Sequence, residues 1–274
     1  MFLKLMYITN SVDVALIAEK YGVDRIWIDL ETLGKQERQG HIDSVKSKHS
    51  INDKKKISPK LTKSEMLVRV NPINPCSKEE IDKVIEAGAD IIMLPMWKSL
   101  DDVKNFLTIV DKRVKTTLLL ETKEAVECLD EVLENGGFDE IHIGLNDLHL
   151  SYHLKFMFEL LANGTVEKIC NKIKNYNIPY GFGGVARLGE GTLPAEKIIM
   201  EHYRLGSSRA ILSRSFCNVD KTASLDEVKE IFKENMKTQR LFEEKVMKMS
   251  KKDFENNKDE LSNCVEKIVK QMEA

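Results

Sequence analysis

No apolar run in this sequence is long enough to cross a bilayer; the longest, Ile91 to Trp97, falls far short of a membrane-spanning helix. No secretory signal is expected either, since Lys4 interrupts the N-terminal apolar stretch and no small-residue cleavage site follows. A cytoplasmic protein with no membrane partner is expected. Neither sign of charge is in excess: 42 Lys and Arg against 44 Asp and Glu leave a formal charge of -2, which argues against a nucleic-acid-binding surface. A small-molecule partner fits better. Cys76, Cys128, Cys170, Cys217 and Cys264 are odd in number and widely spaced, so neither a zinc site nor a disulfide framework is indicated. They read as reduced and structural. Linkers, low-complexity tracts and solenoid repeats are absent as well.

What is present is a folded composition, 42% hydrophobic and 31% charged, on a chain of 274 residues that can bury one large core. Short β-branched runs alternate with longer amphipathic ones, the pattern of strand and helix units around a parallel sheet. Strands are predicted at Phe2–Thr9, Arg25–Leu30, Met66–Val70, Ile91–Leu94, Val114–Leu120, Glu140–Ile143, Pro179–Phe182 and Ser208–Leu212. Asn10 or Ser11 caps the first helix and Gly22 ends it; further helices are predicted at Lys78–Ala87, Leu100–Val110, Lys123–Glu134, Tyr152–Asn175 and Pro194–Tyr203. Eight alternating units imply an α/β fold, a (β/α)8 TIM barrel, over residues 1–220. Beyond it, residues 221–274 carry two helical stripes, Leu225, Val228, Phe232, Met236 and Phe242, then Leu261, Val265, Ile268 and Met272. This helical extension either wraps its own barrel or packs on a neighbouring subunit, and a homo-oligomer is expected. The lysine-rich stretch Ser44–Lys63 reads as a solvated helix or loop without a function.

Active sites of such barrels lie at the carboxyl ends of the strands, so the residues just after each apolar run carry the information. Asp29 and Glu31 follow the second strand, Arg69 lies in the third within Val68-Arg69-Val70-Asn71-Pro72, Glu121 ends the fifth, and Asn146-Asp147 follow the sixth. Carboxylates without His or Cys partners at ligand spacing suit a hard, oxygen-loving cation, Mg2+ or Mn2+. The structural alternatives are that Glu121 caps the next helix and Asp147 pairs with a lysine. Arg69 inside an apolar strand needs either an ion pair with Asp29 or Glu31 or a bound anion. Gly183-Gly184-Val185-Ala186-Arg187-Leu188-Gly189-Glu190-Gly191 is the densest glycine stretch; it makes either an anion site completed by Arg187 or a tight turn. Arg209 and Arg214 are secondary candidates for the distal part of a substrate.

The ordered pieces Trp27-Ile28-Asp29-Leu30-Glu31, Val68-Arg69-Val70-Asn71-Pro72, Gly88-Ala89-Asp90-Ile91-Ile92-Met93-Leu94-Pro95-Met96, Leu120-Glu121-Thr122 and Gly144-Leu145-Asn146-Asp147-Leu148 resemble the HpcH/HpaI aldolase and citrate lyase β-subunit family. The resemblance implies a divalent-metal carbon-carbon lyase of the aldolase type, working through the enolate of a pyruvate-like 2-oxo acid. An acyl-CoA lyase of the citrate lyase β-subunit type, or a metabolite-binding barrel without chemistry, are the alternatives. By position, Glu121 and Asp147 would ligate the metal, and Arg69 would hold the carbonyl or enolate oxygen. Backbone N–H groups near Asn146 and Asp147 would receive the substrate carboxylate, and Glu31 would orient a metal-bound water. Metal and arginine then favour the transition state, because an enolate is negative where its ketone is neutral.

One departure matters. The aldolase branch usually has a histidine after the glutamate of the second-strand motif, and this chain has Thr32, which cannot titrate near neutral pH. His41 and His149 are candidates to replace it, and the proton carrier stays unassigned.

Overall fold

The computed structural model describes residues 1–34, 49–219, 222 and 224–273. Its strands are β1 (Lys4–Ile8), β2 (Arg25–Asp29), β3 (Glu65–Arg69), β4 (Ile91–Leu94), β5 (Lys115–Leu120), β6 (Glu140–Ile143), β7 (Tyr180–Val185) and β8 (Arg209–Leu212), joined in that order as a closed barrel. The fold is the (β/α)8 barrel that the alternation predicts. The strands read as continuous apolar runs because both of their faces are buried, as in Ile91–Leu94, where all four side chains are enclosed.

The chain forms two compact units, Tyr7–His142 and a second made of Met1–Met6 with Ile143–Ala274. In the first, Ser11 caps α1 (Val12–Lys20), accepting the Val14 N–H. Then come α2 (Ile51–Ile57), α3 (Ser77–Glu86) and α4 (Leu100–Val110), the last opened by a capping box between Ser99 and Asp102. The single helix predicted from Lys123 is two, α5 (Lys123–Glu127) and α6 (Leu129–Asn135), because Cys128 leaves helical geometry at φ -94°, ψ 10°.

In the second unit the expected Tyr152–Asn175 helix is replaced by α7 (Leu145–Ser151), α8 (Glu159–Ala162) and α9 (Thr165–Lys174), with Gly164 at φ +79° between the last two. Next come α10 (Ala195–Leu205), α11 (Leu225–Val246) and α12 (Lys251–Glu273). The long C-terminal helices belong to this unit: α11 packs on α10, and α12 packs on α8 and α10. Val228, Phe232 and Met236 of the first predicted stripe are buried there, whereas Leu225 stays exposed. Several polar bonds fix these helices. The buried Glu243 carboxylate accepts the Leu3 N–H at 2.8 Å, and Asn257 Nδ2 donates to the Lys197 carbonyl at 3.1 Å.

Candidate active site

Within the unit Tyr7–His142, parallel pairing sets Asp29 beside Arg69 and Trp27 beside Leu67. Residues two apart on a strand share a face, so Arg25, Trp27 and Asp29 stand in one column and Glu65, Leu67 and Arg69 in the next. That face is the barrel interior, because Arg25 reaches Glu140 on β6, a strand that is not its neighbour.

Arg69 stands at the last position of β3 with its side chain only 12% exposed. Nε and Nη2 donate to the two oxygens of Asp29 at 2.9 and 2.8 Å, a bidentate fork. Nη2 also lies 3.3 Å from Glu31 Oε2. Burial works against the guanidinium charge, but the fields of Asp29, Glu31 and Glu121 outweigh it and keep the group protonated. Its Cζ lies over the Trp27 ring, 5.4 Å from the centroid. Among the described residues Nη1 donates to no group, so the pairing leaves one nitrogen of Arg69 to face a ligand. The ion pair considered from the sequence is therefore present, and it orients the fork without exhausting it.

Glu121 directly follows β5 and is 2% exposed. It does not cap the next helix; Thr122 does, accepting the Ala125 N–H at 3.1 Å while its hydroxyl donates to the Trp97 carbonyl at 2.8 Å. Glu121 Oε1 accepts the Met96 N–H at 3.1 Å. Met96 has φ +52°, uncommon for a residue with a Cβ, so the chain after β4 holds a left-handed turn beside this carboxylate. A buried, oxygen-only donor of this kind fits Mg2+ or Mn2+. Among the described residues no three His, Cys, Asp or Glu side chains gather around one centre.

The chain beyond β2 is hooked by Asn71. Its Oδ1 accepts from Thr32 N at 2.8 Å, Thr32 Oγ1 at 3.3 Å and Leu33 N at 3.0 Å, and its Nδ2 donates to Glu80 at 2.8 Å. Burial raises the Glu80 carboxyl above its ordinary value in spite of these bonds. Thr32 thus anchors a loop in the position where a titrating histidine was looked for. His41 lies outside the described residues. An imidazole that sequence reasoning missed, His49, sits at the same strand end: its Nδ1 accepts the Asp29 N–H at 3.0 Å. A backbone N–H can only donate, so this bond requires an unprotonated Nδ1. Nothing in the local sequence marks His49, which falls in the lysine-rich stretch.

In the second unit Asn146 and buried Asp147 occupy the first turn of α7, which begins directly after β6 without a side-chain cap. Gly183, at φ +52°, packs so closely on α7 that a Cβ would come within 2.7 Å of the Leu145 side chain. A Cβ on Gly181 would strike the Arg209 carbonyl at 2.2 Å. Close backbone packing therefore accounts for two of the glycines. Arg187 pairs with Glu190 at 3.3 Å and its side chain is 39% exposed. Arg209 is the first residue of β8 and is buried, so it stands at the amino end of its strand, opposite to where a distal substrate group was expected. Arg214 follows β8 and is exposed. His149 is buried, its Nδ1 3.2 Å from the Leu145 carbonyl inside α7.

The fold and the family profile together define one class of lyase. The profile of the HpcH/HpaI aldolase/citrate lyase family matches residues 4–158, and the chain belongs to that family. Solved structures share the fold. An HpcH/HpaI aldolase from Desulfitobacterium hafniense DCB-2 aligns with a TM-score of 0.60 at 14% identity, over 77% of this chain and 86% of the other. An HpcH/HpaI aldolase/citrate lyase family protein from Burkholderia cenocepacia J2315 gives 0.60 at 13%, over 83% and 95%. RipC from Yersinia pestis gives 0.55 at 13%, over 84% and 94%. No curated protein matches the chain. Membership supports a lyase of the aldolase/citrate lyase type, and no described helix is long and apolar enough to cross a membrane.

Proposed function

We propose that this protein is a divalent-metal-dependent carbon-carbon lyase of the aldolase type, acting on a 2-oxo acid through a pyruvate-like enolate. The observation that carries the reading is the Arg69 fork, fixed on two sides by Asp29 and Glu31 and open at Nη1. The Nη1 amino group suits one substrate oxygen, and its contact strengthens as that oxygen gains enolate charge. Glu121 and Asp147 would hold Mg2+ or Mn2+, with water and substrate supplying the other ligands. Such a cation supplies Lewis acidity toward the substrate oxygen. Glu31 forms an ion pair with Arg69 at 3.3 Å and would orient water at the site. The N–H groups of the first turn of α7, at Asn146 and Asp147, would receive the substrate carboxylate, with Arg187 reserved for its distal part.

The protein is placed in the cytoplasm, working as a homo-oligomer. Leu225 and Leu241 on α11, and Met247 just after it, are exposed in the single chain and available to a second copy. Light scattering on dilute protein decides this, and a monomer at micromolar concentration would remove it.

Deuterium uptake into the methyl group of pyruvate, followed by NMR in D2O, tests the reaction without knowledge of the acceptor. Exchange is expected with Mg2+ or Mn2+, is lost with EDTA and returns when the metal is restored. Equal exchange in rigorously metal-free protein would sink the metal requirement. Calorimetric binding of a coenzyme A ester, with no exchange of pyruvate, would favour an acyl-thioester lyase instead.

A further inference from the structure

The most unusual buried side chain near Arg69 is Trp27. It lies in the middle of β2, is 2% exposed, and its register partner on β3 is Leu67, so it belongs to the interior layer directly beneath the Asp29–Arg69 pair. Its indole N–H is buried with no hydrogen-bond acceptor among the described residues. Burying a donor that goes unsatisfied is costly, and a leucine or phenylalanine would fill this layer without that cost. The ring must therefore give something in return that an aliphatic side chain does not. Among the described residues, the charged group over its face is the Arg69 guanidinium, 5.4 Å from the ring centroid, within the range of a cation–π contact, and tryptophan presents the strongest aromatic face for one.

We infer that Trp27 is a positioning residue for Arg69: its face fixes the plane of the guanidinium from below while Asp29 fixes its in-plane rotation. The two constraints are complementary. A carboxylate fork sets the direction of Nε and Nη2 but allows the plane to tilt about the axis joining them to Asp29; a ring beneath removes that tilt. Nη1, the nitrogen not committed to Asp29 or Glu31, is then held at one height in the mouth of the strands. The inference rests on the function proposed above, in which Nη1 meets the developing enolate oxygen. Small displacements of such a donor reduce turnover more than binding, since its contact strengthens only as charge develops.

The experiment uses the full chain with Mg2+ and reads both pyruvate deuteration and fluorescence. Trp27→Leu is expected to lower kcat for exchange about thirtyfold, the size of a desolvated cation–π contact, with KM changed by less than about threefold. Trp27→Phe, which keeps an aromatic face, is expected to recover most of that loss. A purely structural role would lower the melting temperature and leave kcat per folded molecule alone. For the second readout, Trp97→Phe leaves Trp27 as the single tryptophan of the chain. In that background Arg69→Lys is expected to shift Trp27 emission. Unchanged emission, or a Trp27→Leu variant that exchanges at the wild-type rate per folded molecule, overturns the inference alone. A wild-type protein that exchanges no deuterium overturns the proposed function, and the inference falls with it.

Discussion

Two interior-facing arginines in the same unit, one buried and one largely so, show what the two ends of these strands do. Arg25 opens β2 and Arg69 closes β3, both facing the barrel interior. Arg25 is fully committed: Nε donates to Glu65 at 2.9 Å, while Nη1 and Nη2 both bind Glu140. Its partners are themselves tied down, Glu140 by the Thr117 hydroxyl at 2.7 Å and Glu65 by Lys115 at 2.6 Å. Arg69 makes the same kind of fork with Asp29 yet leaves Nη1 unused among the described residues. A closed network adds rigidity and specificity; one with an open donor can bind. The difference agrees with the rule that the amino ends of barrel strands serve stability and the carboxyl ends chemistry.

The largest expected effect comes from breaking the closed network. Arg25→Ala leaves the Glu140 carboxylate buried without its main partner and should cost roughly 3 to 5 kcal/mol of stability. Thermal unfolding measures it, and activity per folded molecule should be unchanged. A variant that melts like wild type would show the amino end contributes little. The carboxyl end should answer in the opposite way to Glu121→Gln and Asp147→Asn. Each is expected to weaken Mg2+ binding by about tenfold to a hundredfold or more, read by titration calorimetry, with the fold retained. Unfolding of both variants would mean that these carboxylates are structural.

A smaller effect sharpens the comparison through pH. Burial alone would raise the Glu65 carboxyl, but Lys115 and Arg25 hold it down to about 2 from an ordinary 4.5. A depressed carboxylate contributes stability that is complete above its unfolded value and disappears as pH falls toward the folded one. The melting temperature should therefore drop between about pH 4.5 and 2, with a shallower slope in Glu65→Gln. Parallel slopes in the two proteins would remove Glu65 from the account.

Local pattern made the barrel readable and long-range geometry hid much of the site. Ile91–Leu94, Glu140–Ile143 and Leu100–Val110 have the bounds predicted from apolar periodicity, because burial is written in adjacent residues. The break at Cys128 carries no glycine or proline signal at the point where the chain turns, and the helix opening at Leu145 is marked in the sequence by Gly144 alone, without a side-chain cap. Arg69 was recognisable because a cation in an apolar strand requires an explanation. Its bidentate fork, the ring under it and the His49 contact come from strand register and chain return, which no short window contains. Arg209 misled for a related reason: proximity to a strand does not say which end of that strand it occupies.

The central claim is that Arg69 works in the chemistry whereas Arg25 works in the fold, and Arg69→Lys tests it most directly. Lysine keeps the charge between Asp29 and Glu31 but has no planar fork and no Nη1. Metal-dependent deuteration of pyruvate and thermal unfolding should be measured on the same preparation. Turnover is expected to fall about a hundredfold to a thousandfold, the loss typical of one oxyanion donor, with little change in melting. A large drop in melting temperature with unchanged turnover per folded molecule would contradict the account and make Arg69 a second Arg25.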